Sequence, residues 1–246
     1  MTELPPDALG PRTRGLLLRV GDLEDALARG GDRLPDDAVD TARRALTAVR
    51  ERLALGVDHT VVALVGGTGS GKSSLFNALS GLRFADVGAR RPTTSAVTAC
   101  TWGEAGALLD WLGVERDRRI ERESALDGDT QADLRGLVLL DLPDHDSVAV
   151  DHRAVVDRLL PMVDLLVWVV DPQKYADDAL HTGYLRHLVG HEGSMLVVLN
   201  QVDQVPVQAQ GALLNDVARL LREDGLDDVP VHSASAVTGD GVPVLR

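Results

Sequence analysis

The spacing of apolar positions changes once along this chain, near Thr60. Before that point Leu16, Val20, Leu23 and Leu27 fall four, three and four residues apart, which lays one narrow apolar stripe along a helix. Gly30-Gly31 breaks the pattern. Pro35, Asp36 and Asp37 suit a helix start, and Val39, Ala42, Leu46, Val49 and Leu53 then repeat the stripe as far as Gly56. Residues 1–12 are Pro-rich and read as loose, and 13–57 read as an antiparallel helical hairpin. From Thr60 onward, short apolar runs alternate with helical patterns. Strands are expected at 60–65, 97–102, 137–142, 165–170, 195–200 and 229–233, and helices at 72–80, about 148–162, 176–189 and 207–223. Such alternation predicts an α/β fold over 58–246, with a mostly parallel sheet covered by helices on both faces in three αβα layers. Residues 103–135 break the alternation and read as an insertion. It holds a short helical piece near Ala105–Leu112 and a charged run, ERDRRIERES, expected to be a solvated face. The closing TGDGVPVLR reads as a loop and the first turn of a further helix. The sequence is therefore expected to be the N-terminal part of a longer protein, with its final helix cut short.

The stretch VVALVGGTGSGKSSLFNALSG, Val61–Gly81, carries the strongest chemical signal. Gly66-Gly67-Thr68-Gly69-Ser70-Gly71-Lys72-Ser73 fits G-x-x-x-x-G-K-[ST] between a strand and a helix, the context that marks a P-loop. Glycines let the backbone wrap a phosphate with its N–H groups pointing inward, and the helix N-terminus adds positive potential. Lys72 stands where the helix dipole disfavours a cation, which pairing with phosphate oxygens would offset. Ser73 is placed to give its hydroxyl to Mg²⁺, and Ser74 completes the phosphate-binding run. Asp141 ends the apolar strand GLVLLDLP, where a carboxylate can hold Mg²⁺ through its water shell. Asn200-Gln201-Val202-Asp203 follows the strand MLVVLN. An Asp203 carboxylate there can accept from the ring N–H and the exocyclic amine of guanine, a donor pair that adenine lacks. Ser233-Ala234-Ser235 follows the last strand and is expected to offer a backbone N–H to the base carbonyl. All these motifs fall at the C-terminal edges of strands, where ligands of such sheets sit.

With those residues in view, Thr60–Val242 resembles the Ras-like P-loop GTPase domain of the translation-factor-related class. GKSSLFNALSG is especially similar to the Era and TrmE-like GTPases and to bacterial dynamin-like proteins. The resemblance implies GTP binding, Mg²⁺-dependent hydrolysis to GDP and phosphate, and two switch loops. It matches Lys72 and Ser73 to the P-loop pair, Asp141 to the DxxG aspartate, and Asn200 and Asp203 to the NKxD residues. Arg91-Pro92-Thr93-Thr94 resembles the first switch segment, with Thr94 as the expected Mg²⁺ ligand and Thr93 as the alternative. His145 lies just after the DxxG position, where relatives carry a water-orienting Gln or His, and is the expected catalytic side chain beside Lys72 and Thr94.

Three residues depart from the family pattern. Asp144 replaces the glycine of DxxG, bringing a negative charge and a stiffer backbone that work against sensing of the γ-phosphate. Gln201 replaces the lysine of NKxD, so its stem can still pack on the base but the positive charge is lost. Gly69 stands where potassium-activated relatives carry Asn, so no dedicated K⁺ site is expected.

Composition narrows the partners. A formal charge of −13 argues against a broad nucleic-acid surface, which needs clustered Lys and Arg. Aromatic content of 3% leaves Leu, Val and Ala to build the core. The single cysteine, Cys100, allows no disulfide within one chain and fits a reducing, cytoplasmic setting. The expected function is a GTPase switch. The dynamin-like resemblance implies self-association through the nucleotide face, and membrane association through a region beyond this sequence. The alternative is a hydrolysis-deficient nucleotide-binding scaffold.

Overall fold

The computed structural model describes residues 11–30, 33–55, 59–82, 96–122, 132–144 and 150–246. The chain divides into two compact units, residues 1–58 and 59–246. In the first unit, helix α1 runs Pro11–Gly30 and helix α2 runs Asp36–Ala54. Helix α1 starts two residues before the boundary expected from sequence, because proline is tolerated in a first helical turn, where its missing N–H has no partner to lose. Glu24 and Arg50 form an ion pair between the two helices, and Val39 and Leu46 of α2 are buried.

The second unit is built on a sheet of seven strands among the described residues. The strands are β1 (Thr60–Val65), β2 (Thr98–Thr101), β3 (Arg119–Glu121), β4 (Leu137–Asp141), β5 (Leu165–Val170), β6 (Met195–Leu199) and β7 (Val231–Ser233). Their order across the sheet is β3-β2-β4-β1-β5-β6-β7. Strands β4, β1, β5, β6 and β7 are parallel, whereas β2 pairs antiparallel with β4. Helices α3 (Lys72–Ser80), α4 (Gly106–Leu112), α5 (Val150–Leu159), α6 (Asp178–Gly183), α7 (Val207–Glu223) and α8 (Val242–Leu245) complete the unit. The apolar runs are near-continuous because the parallel strands are buried on both faces. On β1, Val61, Ala63, Leu64 and Val65 are all fully buried. Leu64, Val167, Val169 and Val198 join one cluster with Leu75, Phe76 and Leu79 of α3. Trp168 packs its ring 5.7 Å from that of Tyr184. Cys100 is buried inside β2, and burial pushes its thiol up to about 12, so it is chemically quiet at neutral pH.

Three sequence expectations are corrected here. The charged run at 115–124 is not simply a solvated face: Arg119–Glu121 forms the edge strand β3, parallel to β2. Ile120 packs against the core, and Arg119 is anchored by Asp110 at 2.6 Å and by the carbonyl of Val114 at 3.0 Å. Charged side chains are a common way to protect an edge strand, and they conceal its period. The helix expected at 176–189 is α6 followed by a 3₁₀ turn at Leu185–Leu188. The one expected at 148–162 is helical from Val150 and becomes a 3₁₀ turn at Leu160–Met162, where Pro161 cannot donate the next helical hydrogen bond. Among the described residues no helix is long and apolar enough to cross a membrane.

A buried polar network ties α6 to the end of α7. Asp224 accepts from Arg186 Nε at 2.8 Å and from His181 Nδ1, while His181 Nε2 donates to the Tyr175 carbonyl at 2.9 Å. Burial alone would push the Asp224 carboxyl up. Hydrogen bonds and charge from His181 and Arg186 outweigh that effect and hold it below the usual carboxylate range. A depressed carboxylate contributes stability above the unfolded value of about 3.9 and loses it as pH falls below that. Asp224→Asn should therefore cost about 3 kcal/mol at pH 7, since it leaves the buried His181 ring and the half-exposed Arg186 facing a neutral amide. Urea unfolding followed by tryptophan fluorescence should show that deficit at pH 7 and a smaller one near pH ~3.5.

Candidate functional site

The P-loop spans the turn from β1 to α3, at the centre of the sheet. Three of its glycine-dependent features are visible. A Cβ on Gly66 would lie 2.3 Å from the carbonyl oxygen of Val169 and 2.8 Å from Ser70 Oγ. Gly71 takes φ 83°, and a Cβ there would meet Asn200 Nδ2 at 2.5 Å. The loop closes on itself through Ser70 N–H to the Gly67 carbonyl at 3.2 Å. Thr68 and Gly69 lie exposed at its tip, while Ser70 is buried. Helix α3 opens at Lys72 with no side-chain cap, so the N–H groups of Lys72, Ser73 and Ser74 are the donors that a first helical turn leaves for a ligand.

Lys72 is only 4% exposed, and its Nζ forms an ion pair with Asp144. Asp144 also accepts from Thr68 Oγ1 at 2.9 Å. The structure thus gives the Asp144 charge two partners that its place in the motif does not reveal. Its carboxylate is seated in the cradle, on the cation that the sequence reading reserved for phosphate.

Asp141, the last residue of β4, is 3% exposed, and its Oδ1 has no hydrogen-bond partner among the described residues. Burial pushes its carboxyl up to about 6. The charge of Lys72 and a hydrogen bond from Ser73 pull it down, and the charge of Asp144 adds to the rise. A buried carboxylate with an orphaned oxygen beside an exposed serine hydroxyl is a donor set that fits a hard, oxygen-seeking divalent cation. Among the described residues no three His, Cys, Asp or Glu side chains form a metal cluster. Mg²⁺ bound mainly through Ser73, water and phosphate oxygens does not need one.

The other side of the site is made by the ends of β6 and β7. Asn200 is 1% exposed and donates from Nδ2 to the carbonyls of Ser70 at 3.0 Å and Gly71 at 3.3 Å. Gln201, at φ 60°, donates from Nε2 to the Gly69 carbonyl at 2.7 Å. Residues 130 positions apart are thereby joined, and the Asn200–Gln201 segment holds the glycine loop in shape. Asp203 is exposed, and its Oδ1 accepts from Ser235 Oγ at 2.6 Å.

The expectation for Ser233-Ala234-Ser235 is corrected in its details. Ser233 is still part of β7. The Ala234 N–H is taken by the Leu199 carbonyl and the Ser235 N–H by the Asp240 carbonyl, both at 2.9 Å. Neither remains to meet a base. What this segment brings to the site is the Ser235 hydroxyl, which orients Asp203 and also accepts from Thr238 N–H at 3.1 Å. The signal for it was local: a serine opening the tight Ser235–Gly239 turn, itself closed by Gly239 N–H to the Ser235 carbonyl at 2.9 Å.

Sequence reasoning also missed Lys174. Asp171, just after β5, accepts from the N–H groups of Gln173 and Lys174 at 2.8 and 3.0 Å. The turn so formed sends Lys174 Nζ to the Thr68 carbonyl at 3.1 Å. Thr68, Asp171 and Lys174, with Gly67, Ser70 and Asp177, line a small hollow beside the P-loop. Thr93, Thr94 and His145 lie outside the described residues.

The chain spans a little under half the length of the curated relatives it matches. One is the GTPase Der of Parvibaculum lavamentivorans (strain DS-1), 30% identical over 240 residues that cover 92% of this chain and 46% of the relative. Another is the tRNA modification GTPase MnmE of Halorhodospira halophila (strain SL1), 28% identical over 258 residues, covering 97% and 47%. Among solved structures, Era in complex with MgGDPNP and a piece of 16S ribosomal RNA superposes with a TM-score of 0.52 at 17% identity, over 76% of this chain and 54% of that one. A chain of an oligomerised bacterial dynamin pair gives 0.52 at 15% identity, over 90% and 38%. At such identities these two likenesses speak to the fold alone. The family evidence lies in the sequence that carries the cradle: the model of the 50S ribosome-binding GTPase family matches residues 61–201, from the first strand through the P-loop and Asp141 to Asn200, and the chain belongs to that family.

Proposed function

We propose that this chain binds guanine nucleotide and hydrolyses GTP to GDP and phosphate as a molecular switch. The observation that carries the proposal is the join between Asn200 and the P-loop. One side chain, Asn200, holds the glycine loop in shape, while the next turn carries Asp203, steadied by Ser235, the residue this reading assigns to the base. In this reading the backbone of Gly67–Gly71 and the first turn of α3 cradle the phosphates, and Lys72 pairs with their terminal oxygens. Asp203 accepts from the guanine ring N–H and amine, while the stem of Gln201 flanks the base. Ser73, Asp141 through water, and Thr94 or Thr93 would hold Mg²⁺, which when bound neutralises charge on the phosphates. His145 orients the attacking water. Self-association through the nucleotide face and association with a membrane belong to the same proposal. What motivates them is the resemblance of GKSSLFNALSG to bacterial dynamin-like proteins.

Competition binding tests the base. GDP should displace a fluorescent guanine nucleotide at least ~100-fold better than ADP does, as expected when only one of the two bases carries the donor pair that Asp203 accepts. Equal displacement would remove the guanine reading. Phosphate release from GTP by the same sample, at several protein concentrations and with and without liposomes, tests hydrolysis and its dependence on self-association. His145→Ala should retain affinity and lose at least ~10-fold in rate. The Asp144–Lys72 ion pair favours one second reading, a nucleotide-binding scaffold that does not hydrolyse. Absence of phosphate release from a chain that binds GTP would select it.

A further inference from the structure

We infer that Asp144 is a built-in occupant of the terminal-phosphate position and sets the preference of this site between GTP and GDP. The inference rests on the guanine-nucleotide reading above. Asp144 stands three residues after Asp141, where the family pattern has a glycine that carries no side chain. Here the side chain reaches into the cradle and takes two partners there, Lys72 Nζ and Thr68 Oγ1. The P-loop lysine is the group that reaches the β- and γ-phosphates, and Thr68 lies at the exposed tip of the loop. The pair is well shielded, Asp144 being 13% and Lys72 4% exposed, so water does little to screen it. An anion held on the cradle's lysine satisfies the charge of a buried cation that would otherwise be costly.

Consequences differ for the two nucleotides. A diphosphate fills the inner part of the cradle, against the backbone N–H groups and the first turn of α3. Asp144 can keep its contact with Thr68 on the outer side. A triphosphate brings a further anionic group to the place where the carboxylate sits. The two cannot share Lys72, and Asp144 must withdraw without its partner. Its charge is then spent against GTP more than against GDP. Neutralising the side chain removes that contest while leaving the loop, Lys72 and the base contacts in place.

The test measures affinity, with Mg²⁺ present, for GDP and for a non-hydrolysable GTP analogue in the wild type, Asp144→Asn and Asp144→Gly. Asp144→Asn should bind the GTP analogue at least ~10-fold more tightly, the scale of one charge-assisted hydrogen bond relieved of competition. GDP affinity should change less than ~3-fold. Asp144→Gly should move both in the same directions. Inorganic triphosphate serves as a probe without a base and should also bind more tightly to Asp144→Asn. Unliganded Asp144→Asn should melt at a lower temperature, because Lys72 loses its partner. A purely structural role for Asp144 would lower that temperature and leave the GTP-to-GDP ratio as in the wild type, and an unchanged ratio in both variants overturns the inference. If no guanine nucleotide binds to any of the proteins while triphosphate still favours Asp144→Asn, the GTP reading falls and the contest for the cradle stands.

Discussion

Lys72→Ala is expected to lower guanine-nucleotide affinity at least ~100-fold, about 2.8 kcal/mol at 1.4 kcal/mol per factor of ten. The lysine is nearly fully buried in the cradle, so the charge it offers to phosphate is shielded from solvent. Its loss removes the attraction and also strands Asp144, whose ion pair it forms. A carboxylate left without its cation then faces an incoming polyphosphate, so two unfavourable changes act together. The stranded charge also predicts a less stable unliganded protein. Loss of binding through unfolding is separated from loss of the phosphate contact by a thermal melt and a binding isotherm on the same sample. A double variant, Lys72→Ala with Asp144→Ala, should recover part of the lost affinity, because it removes the repulsion while the backbone donors remain. Near-wild-type binding by folded Lys72→Ala would mean that the loop does not hold phosphate. Additivity of the two substitutions would mean that the ion pair is not part of the site's electrostatics.

How legible these features were in the sequence depended on how local their causes are. The run Val61–Ser80 announced strand, loop and helix without ambiguity, because apolar strand residues, glycines and an amphipathic helix follow one another within twenty positions. Asp141 could be placed at a strand end for the same reason. The edge strand β3 was not legible. Its partner lies twenty residues upstream, and the charges that protect an edge look like those of a solvated loop. The pairing of Asp144 was also hidden. Its charge could be read, but the cation it meets is 72 positions away, and spacing within a motif says nothing about such a contact. Ser235 shows the same limit on the base side. Sequence placed a serine motif after the last strand, but which atoms remain to face a ligand follows from bonds to Leu199, Asp203 and Asp240 that only the folded chain brings together.

Gly66→Ala is expected to lower nucleotide affinity as much as loss of the lysine does, at least ~100-fold, for a reason that lies in the sheet rather than in the phosphate. Gly66 is the first residue beyond β1, and its neighbour across the sheet is the end of β5. An added methyl would sit 2.3 Å from the Val169 carbonyl oxygen and 2.8 Å from Ser70 Oγ. Ser70 could rotate its hydroxyl away. Val169 cannot give way as easily, because it is fully buried and its strand is paired on both sides, to β1 and to β6. Relief must therefore come from the P-loop, which would lift from the sheet and carry with it the N–H groups aimed at the phosphates. The Asn200 bonds to Ser70 and Gly71 would stretch as the loop moves, so damage on the phosphate side spreads to the base side. Overpacking of this kind costs about 1–3 kcal/mol of stability, which should lower the melting temperature by several degrees while leaving a folded sheet. Calorimetry with GDP and a melt of the same sample check both halves. A folded Gly66→Ala that still binds GDP with wild-type affinity would show that the loop tolerates displacement from β5, and that the close approach to Val169 is not what fixes its shape.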